Sequence, residues 1–292
     1  MKVRVKKINA FTESLNGGNP AGVVTNPQNL TEENMKTITR EIAVSESAFV
    51  FPSAKADFKL RFFSPAIEVD LCGHATIATF FTMAEEGLFP KKNGQIIITQ
   101  ETNAGILPVD IYFRDDKCEK VMMTQGKPVL KDREVDIGEL AESLHIQKNE
   151  IDDSLPQQIV STGLFTLPIC VTSFDTLQQM SPNFDHIKKM CNQVGVGSFH
   201  VFTFETLEKT SVYHARNFAP VYGINEDPVT GTANGAVSSY LMKNGLIEKR
   251  KIVCEQGDII GRPGRVFVDL DNDVVKVGGK TRLVEEKEVE IE

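Results

Sequence analysis

Four side chains in the 292-residue sequence combine a reactive type with a telling place: Glu46, Cys72, His74 and Asp227. Glu46 lies in Ser45-Glu46-Ser47-Ala48-Phe49-Val50-Phe51, where a predicted helix hands over to an apolar strand. Partial burial there would raise a carboxyl pKa toward the range useful for moving protons, although position alone favours a solvated turn glutamate. His74 follows Gly73 at a predicted helix start, where unpaired N–H groups disfavour an imidazolium and leave the ring neutral. A lone histidine is ordinarily structural. Cys72 is either a nucleophilic or proton-transfer thiol or one more buried, inert cysteine. Asp227 precedes Pro228, and Asp-Pro commonly does no more than cap a turn. The spacing contains no catalytic triad, no His-x-x-x-His and no dinucleotide fingerprint.

Three of these residues lie in a repeated segment. Arg61, Phe63 and Pro65 form Arg-x-Phe-x-Pro, as do Arg216, Phe218 and Pro220; Gly73, Ala75 and Ala78 form Gly-x-Ala-x-x-Ala, as do Gly231, Ala233 and Ala236. Gly87-Leu88 and Gly245-Leu246 close the two copies. The second copy lies 155 residues on at its arginine (216 − 61) and 158 at its glycine (231 − 73), so three extra residues sit in its turn. Each unit reads as a Phe-rich strand, a Pro-containing turn and a helix of small and apolar residues, Ala75 to Met83 and Thr232 to Lys243, with a glycine stop. Two matching halves predict a pseudo-symmetric fold. Small residues at the helix starts let a backbone or ligand come close. The first N–H groups of each helix, near Gly73, His74, Gly231 and Thr232, could hold a carboxylate in a cleft between the halves. Two well-packed core helices that merely begin with glycine are the plainer alternative.

The remaining chain supplies sheets. Met1 to Ile8 alternates apolar and basic residues and predicts a strand. Gly17-Gly18-Asn19-Pro20-Ala21-Gly22 is a turn cluster leading into Val23-Val24. It is either a ligand-cradling loop or, as such clusters more often are, a structural turn; no Walker sequence follows. Thr31 is a predicted N-cap with Glu32 and Glu33 in the first turn. Strands are predicted at 95–99, 105–113, 120–124, 158–162, 167–171, 201–204 and 211–218, with a strand-rich tail at 252–260, 266–270, 274–277 and 281–291. Helices are predicted from Asp136 to Leu144 and from Phe184 to Val194, with Asp136 and Asp185 as starts. Asp115-Asp116-Lys117 is a polar candidate for a hinge. The order is neither regular βαβ nor all-β and predicts an α+β fold of mostly antiparallel sheets around a helix in each half.

Composition narrows the function. With 41% hydrophobic and 25% charged residues the chain is an ordinary globular protein. A net charge of −8 argues against nucleic acid as the main partner. No apolar run approaches the ~20 residues of a bilayer span, and no apolar segment follows the basic N-terminus as in a signal peptide. The five cysteines, at 72, 118, 170, 191 and 254, are odd in number and scattered without Cys-x-x-Cys. Neither a disulfide framework nor a zinc site is expected, and a reducing, cytoplasmic location is.

Five segments, in order, resemble the PhzF-like (phenazine biosynthesis-like) family of the diaminopimelate-epimerase-like superfamily: Gly18-Asn19-Pro20-Ala21-Gly22-Val23-Val24, Ser45-Glu46-Ser47-Ala48-Phe49, Arg61-Phe62-Phe63-Ser64-Pro65, Asp70-Leu71-Cys72-Gly73-His74-Ala75-Thr76 and Glu226-Asp227-Pro228-Val229-Thr230-Gly231. The resemblance spans essentially the whole chain. It implies two lobes, each a curved sheet around a central helix, here 1–117 joined by the C-terminal strand 281–292, and 118–280. It maps the family's acid/base glutamate to Glu46, against the solvated-turn reading, and maps the assisting residues to His74 and Asp227. Asn19, Ser45, Gly73, Ala75, Gly231 and Thr232 are the expected substrate-binding positions. The implied activity is cofactor-independent, metal-free isomerisation of a small carboxylate-bearing metabolite by a homodimer. One alternative is a racemase or epimerase using Cys72; the second repeat holds no matching cysteine. The other is a metabolite-binding protein without turnover.

Overall fold

The computed structural model describes residues 1–90 and 93–291. The chain divides into two compact units, residues 1–124 with 278–292, and residues 125–277.

In the first unit, strand Lys2–Ala10 pairs antiparallel with Thr281–Glu290 on one side and with Asn19–Val24 on the other. Asn19–Val24 runs parallel to Glu46–Phe51, which is antiparallel to Phe58–Phe63; that strand is parallel to Gly94–Thr102, itself antiparallel to Gly105–Arg114, which pairs with Lys117–Thr124. Helix Gly73–Glu85 packs on strands from both ends of this run, including Lys2–Ala10, Asn19–Val24 and Lys117–Thr124, so the sheet curls around it. Its sequence explains the enclosure: Ala75, Thr76, Ile77, Ala78, Thr79 and Phe80 are all buried, and a helix apolar on every side has to be surrounded.

The second unit repeats the pairing. Phe165–Cys170 is parallel to Ser198–Thr203, which is antiparallel to Tyr213–Ala219; that strand is parallel to Lys251–Gln256, itself antiparallel to Gly264–Asp271. Helix Gly231–Lys243 packs against Gly264–Asp271, Phe165–Cys170, Ser198–Thr203 and Gln158–Ser161. The alternation of parallel and antiparallel pairs is the same in both units, as the sequence repeat predicts.

The repeated motif residues do repeated work. The Arg61 guanidinium lies 5.0 Å from the centre of the Phe63 ring, and Arg216 lies 5.0 Å from that of Phe218. Each arginine also grips one carboxylate with two nitrogens, Arg61 on Glu68 at 2.8 and 2.6 Å and Arg216 on Glu226 at 2.9 and 2.8 Å. Arg-x-Phe is therefore framework: the planar cation stacks on the ring and takes a bidentate partner. Gly87 and Gly245 adopt φ of 78° and 70°, and the following N–H groups of Leu88 and Leu246 bond the carbonyls of Met83 and Leu241 at 3.0 and 2.9 Å. That left-handed residue and five-back bond end both helices in the same way.

Several expectations are corrected. Asp115 and Asp116, with φ of 50° and 60°, form a two-residue turn between Arg114 and Lys117, which pair across a hairpin; the triplet 115–117 is not a hinge. The helix Phe184–Val194 is capped by the Asn183 side chain, and Asp185 stands inside its first turn. The strand expected over 252–260 stops at Gln256, where a turn at Gly257 intervenes. A short helix, Phe174–Gln179, and a strand, Val129–Asp132, were not foreseen. Thr31 caps helix Glu32–Glu41 as predicted, in a reciprocal pair with Asn34. Among the described residues, no helix is long and apolar enough to cross a membrane.

Candidate functional site

Glu46 is the first residue of strand Glu46–Phe51. Strand alternation turns Ser47 into the core, where it is fully buried, and so turns Glu46 to the opposite face. The Glu46 side chain is 19% exposed and that of His74 13%, and Glu46 Oε2 lies 3.4 Å from His74 Nε2. The other ring nitrogen, His74 Nδ1, is 3.5 Å from Cys72 Sγ. One imidazole thus stands between a carboxylate and a thiol, and donor atoms of all three residues lie within 4.8 Å of one another.

The helix start itself is open. The helical ladder begins with the Thr76 N–H donating to the Cys72 carbonyl at 2.9 Å, so the N–H groups of Gly73, His74 and Ala75 stand ahead of it. The Cys72 side chain makes no capping bond to them. A Cβ added at Gly73 would meet no described atom within 4 Å, so the glycine leaves an open approach to these donors. Ala75, an expected substrate-binding position, is fully buried, backbone included. Ser45 is exposed and immediately precedes Glu46. Asn19 is buried and pairs with Ala10 in the sheet. Its neighbour Gly18 has φ of 65°, and a Cβ there would fall 2.1 Å from the Ala10 carbonyl oxygen; the glycine is required by the turn.

In the second unit, Asp227, Gly231 and Thr232 gather at the start of helix Gly231–Lys243. Thr230 Oγ1 donates to Asp227 Oδ2 at 2.5 Å, and the Thr230 side chain, like that of Cys72, makes no capping bond to its helix. Gln256, missed in the sequence, latches this turn. Its Nε2 donates to the Asp227 carbonyl at 2.9 Å, and its Oε1 accepts from the Thr230 N–H at 3.0 Å and from Asn234 Nδ2 at 2.7 Å. The one cue is a polar pair, Glu255-Gln256, that follows the apolar Ile252-Val253-Cys254 and precedes Gly257. The Thr232 carbonyl accepts from Thr162 Oγ1 at 3.2 Å.

The other four cysteines are chemically quiet. Burial pushes the thiols of Cys118, Cys170, Cys191 and Cys254 up to about 12, so each stays protonated at neutral pH.

Known proteins resemble this chain along nearly its whole length. The family described as phenazine biosynthesis-like protein matches residues 8–287. An uncharacterized isomerase of Clostridium acetobutylicum is 38% identical, over 99% of this chain and 98% of the relative. The uncharacterized isomerase YfhB of Bacillus subtilis is 36% identical, over 97% of this chain and 94% of the relative. The crystal structure of a Bacillus anthracis phenazine biosynthesis protein of the PhzF family superposes with a TM-score of 0.90 at 35% identity, covering all of both chains.

Proposed function

The chain belongs to the phenazine biosynthesis-like (PhzF) family, and from that premise we propose that this isomerase moves a proton between two carbons of a small carboxylate-bearing metabolite, with Glu46 as the acid/base. The observation that carries the reading is the contact between the Glu46 carboxylate and His74 Nε2, 3.4 Å apart, at a helix start that the Cys72 side chain does not cap. Glu46 takes a proton from carbon as the neighbouring C–H bond breaks, and redelivers it to another carbon of the same molecule. The separation is long for a hydrogen bond, as catalytic contacts often are before substrate binds. His74 holds and relays the proton at Nε2, and in this reading the Cys72 thiol, 3.5 Å from Nδ1, takes no part. The N–H groups of Gly73 and His74 hold the substrate carboxylate and stabilise negative charge that develops as the proton leaves. The assisting role that the family resemblance gives Asp227 is a separate claim, tested by Asp227→Asn.

The test is deuterium wash-in from heavy water, using a panel of cyclic and aromatic carboxylic acids. Wild type should exchange at least one of them, and Glu46→Gln should lose at least about 10²-fold, the low end of what one positioned acid/base supplies. Equal exchange by the two proteins removes Glu46 from the chemistry.

A second reading, racemisation through Cys72, draws on the 3.5 Å contact between Sγ and the His74 ring. Cys72→Ala separates the two: lost turnover favours the thiol, retained turnover the glutamate.

A further inference from the structure

Glu46, Cys72 and His74 offer one oxygen, one sulfur and one nitrogen donor at closely matched separations. Nε2 of His74 is 3.4 Å from Glu46 Oε2 and 3.8 Å from Cys72 Sγ, and the three donor atoms fall within 4.8 Å of one another. In a tetrahedral zinc centre, ordinary metal–ligand lengths place nitrogen and oxygen about 3.3 Å apart and sulfur and nitrogen about 3.6 Å apart. Two of the three edges are therefore already close to those of such a tetrahedron, and the third lies within 4.8 Å. The residues are also held by regular structure: Glu46 begins a strand, Cys72 is the N-cap of a helix and His74 is in that helix's first turn. All three are largely shielded from solvent, with Cys72 only 8% exposed.

We propose that this trio reversibly binds zinc(II) or a similar borderline-soft divalent cation through Glu46 Oε2, Cys72 Sγ and His74 Nε2, with a fourth position left open. Binding releases the thiol proton to solvent and uses the lone pair of the neutral imidazole. The donor set selects the class of metal: magnesium and calcium require shells of oxygen, and only one of these three ligands supplies it. A bound cation occupies the carboxylate oxygen and the ring nitrogen that face each other, and so makes the site metal-inhibited. The inhibition rests on the proposed role of Glu46; the binding does not.

The experiment titrates the metal-free, full-length protein with cobalt(II) as a spectroscopic stand-in for zinc. One equivalent should give the strong visible bands of a four-coordinate site and a thiolate-to-cobalt charge-transfer band, both abolished by one equivalent of zinc(II). Cys72→Ala should lose the charge-transfer band and bind at least about tenfold more weakly, and Glu46→Gln should keep the band and weaken by a similar factor. Cys118→Ala should behave as wild type. A weak six-coordinate spectrum from wild type, or a charge-transfer band surviving in Cys72→Ala, overturns the proposal. Should Cys72→Ala fail to fold, wild type alone decides: zinc(II) should slow alkylation of Cys72 by iodoacetamide at least tenfold, and an unchanged rate sinks the site. Metal binding with no effect on deuterium exchange would leave this site standing and count against the role of Glu46.

Discussion

At the head of the first-unit helix stand Glu46, Cys72 and His74. Sheet register and helix spacing match them, in the second unit, to Ser198, Thr230 and Thr232: Glu46 pairs with Ala21 and Ser198 with Thr166 in equivalent parallel ladders, and Phe63 and Phe218 fix the neighbouring strand. The backbone is repeated and the chemistry is not. Three side chains that can exchange or share a proton are matched, position for position, by three hydroxyls that stay neutral at any ordinary pH. The difference also bears on mechanism. Two-thiol racemisation needs a thiol from each half, and the match to Cys72 is Thr230, whose hydroxyl is donated to Asp227. Asp227 in turn occupies the register position of Val69, since Asn217 pairs with Asp227 as Phe62 pairs with Val69. Each unit has thus kept an uncapped helix start, and acid/base residues have been placed differently around it.

The comparison can be broken at its strongest point by exchanging side chains at matched positions. Glu46→Gln should lower turnover by about 10² to 10⁴, while Ser198→Ala should leave it within a few-fold; comparable losses in isotope exchange would mean the two positions are not chemically distinct. Next come the paired arginines. Arg216 is 9% exposed and also donates to the carbonyls of Leu177 and Met180, whereas Arg61 is 24% exposed. Arg216→Ala should therefore cost about 3–5 kcal/mol, by leaving the half-buried Glu226 and the carbonyls of Leu177 and Met180 without their donor, and Arg61→Ala about 1 kcal/mol. Urea unfolding of the two variants reads the difference, and equal costs would refute it.

Acid should act through the second unit. Burial, against the hydrogen bond with Asn217, holds the His200 imidazole down at about 4 rather than 6.5. Its contribution is complete above pH 6.5 and falls away toward pH 4, because the unfolded chain takes up the proton first; the span corresponds to about 3 kcal/mol. Burial of Glu255 opposes its ionisation, but hydrogen bonds from His214 and the N–H groups of Leu207 and Glu208 outweigh that and hold its carboxyl at about 2. That contribution is present above about pH 4.5 and is lost toward pH 2. Stability that stays flat from pH 6.5 to 4, or a slope unchanged in His200→Gln, would contradict the assignment. A more local effect belongs to the turn around Asp227. Gln256→Leu leaves the Thr230 N–H and the Asn234 amide short of an acceptor and should cost about 1–3 kcal/mol in the same unfolding assay.

The repeat made much of the fold legible. Arg-x-Phe-x-Pro and the two Gly-Leu stops marked strand, turn and helix in both units, because a stacked guanidinium and a left-handed glycine each require specific residue types. Glu46, Cys72 and His74 were visible as reactive residues in distinct segments, but no spacing between positions 46 and 74 says that a strand start and a helix start meet; sheet pairing does that. Ser198 was invisible as the match to Glu46, since it shares no motif and is related only through register. Gln256 and the His214–Glu255 pair were hidden for a similar reason, as polar residues whose partners come from distant strands and turns. Asp115-Asp116 misled because polar residues suit a hinge and a two-residue hairpin equally, and only the positive φ angles decide.

The pairing of Lys2–Ala10 with Thr281–Glu290 has a consequence for biosynthesis. During synthesis the strand Lys2–Ala10 has to wait for a partner until residues 281–290 have been made. By then the whole of 125–277 has been made and has every strand of its own unit within reach. Folding during synthesis should therefore run against chain order, residues 125–277 settling before the unit whose segments flank them in sequence.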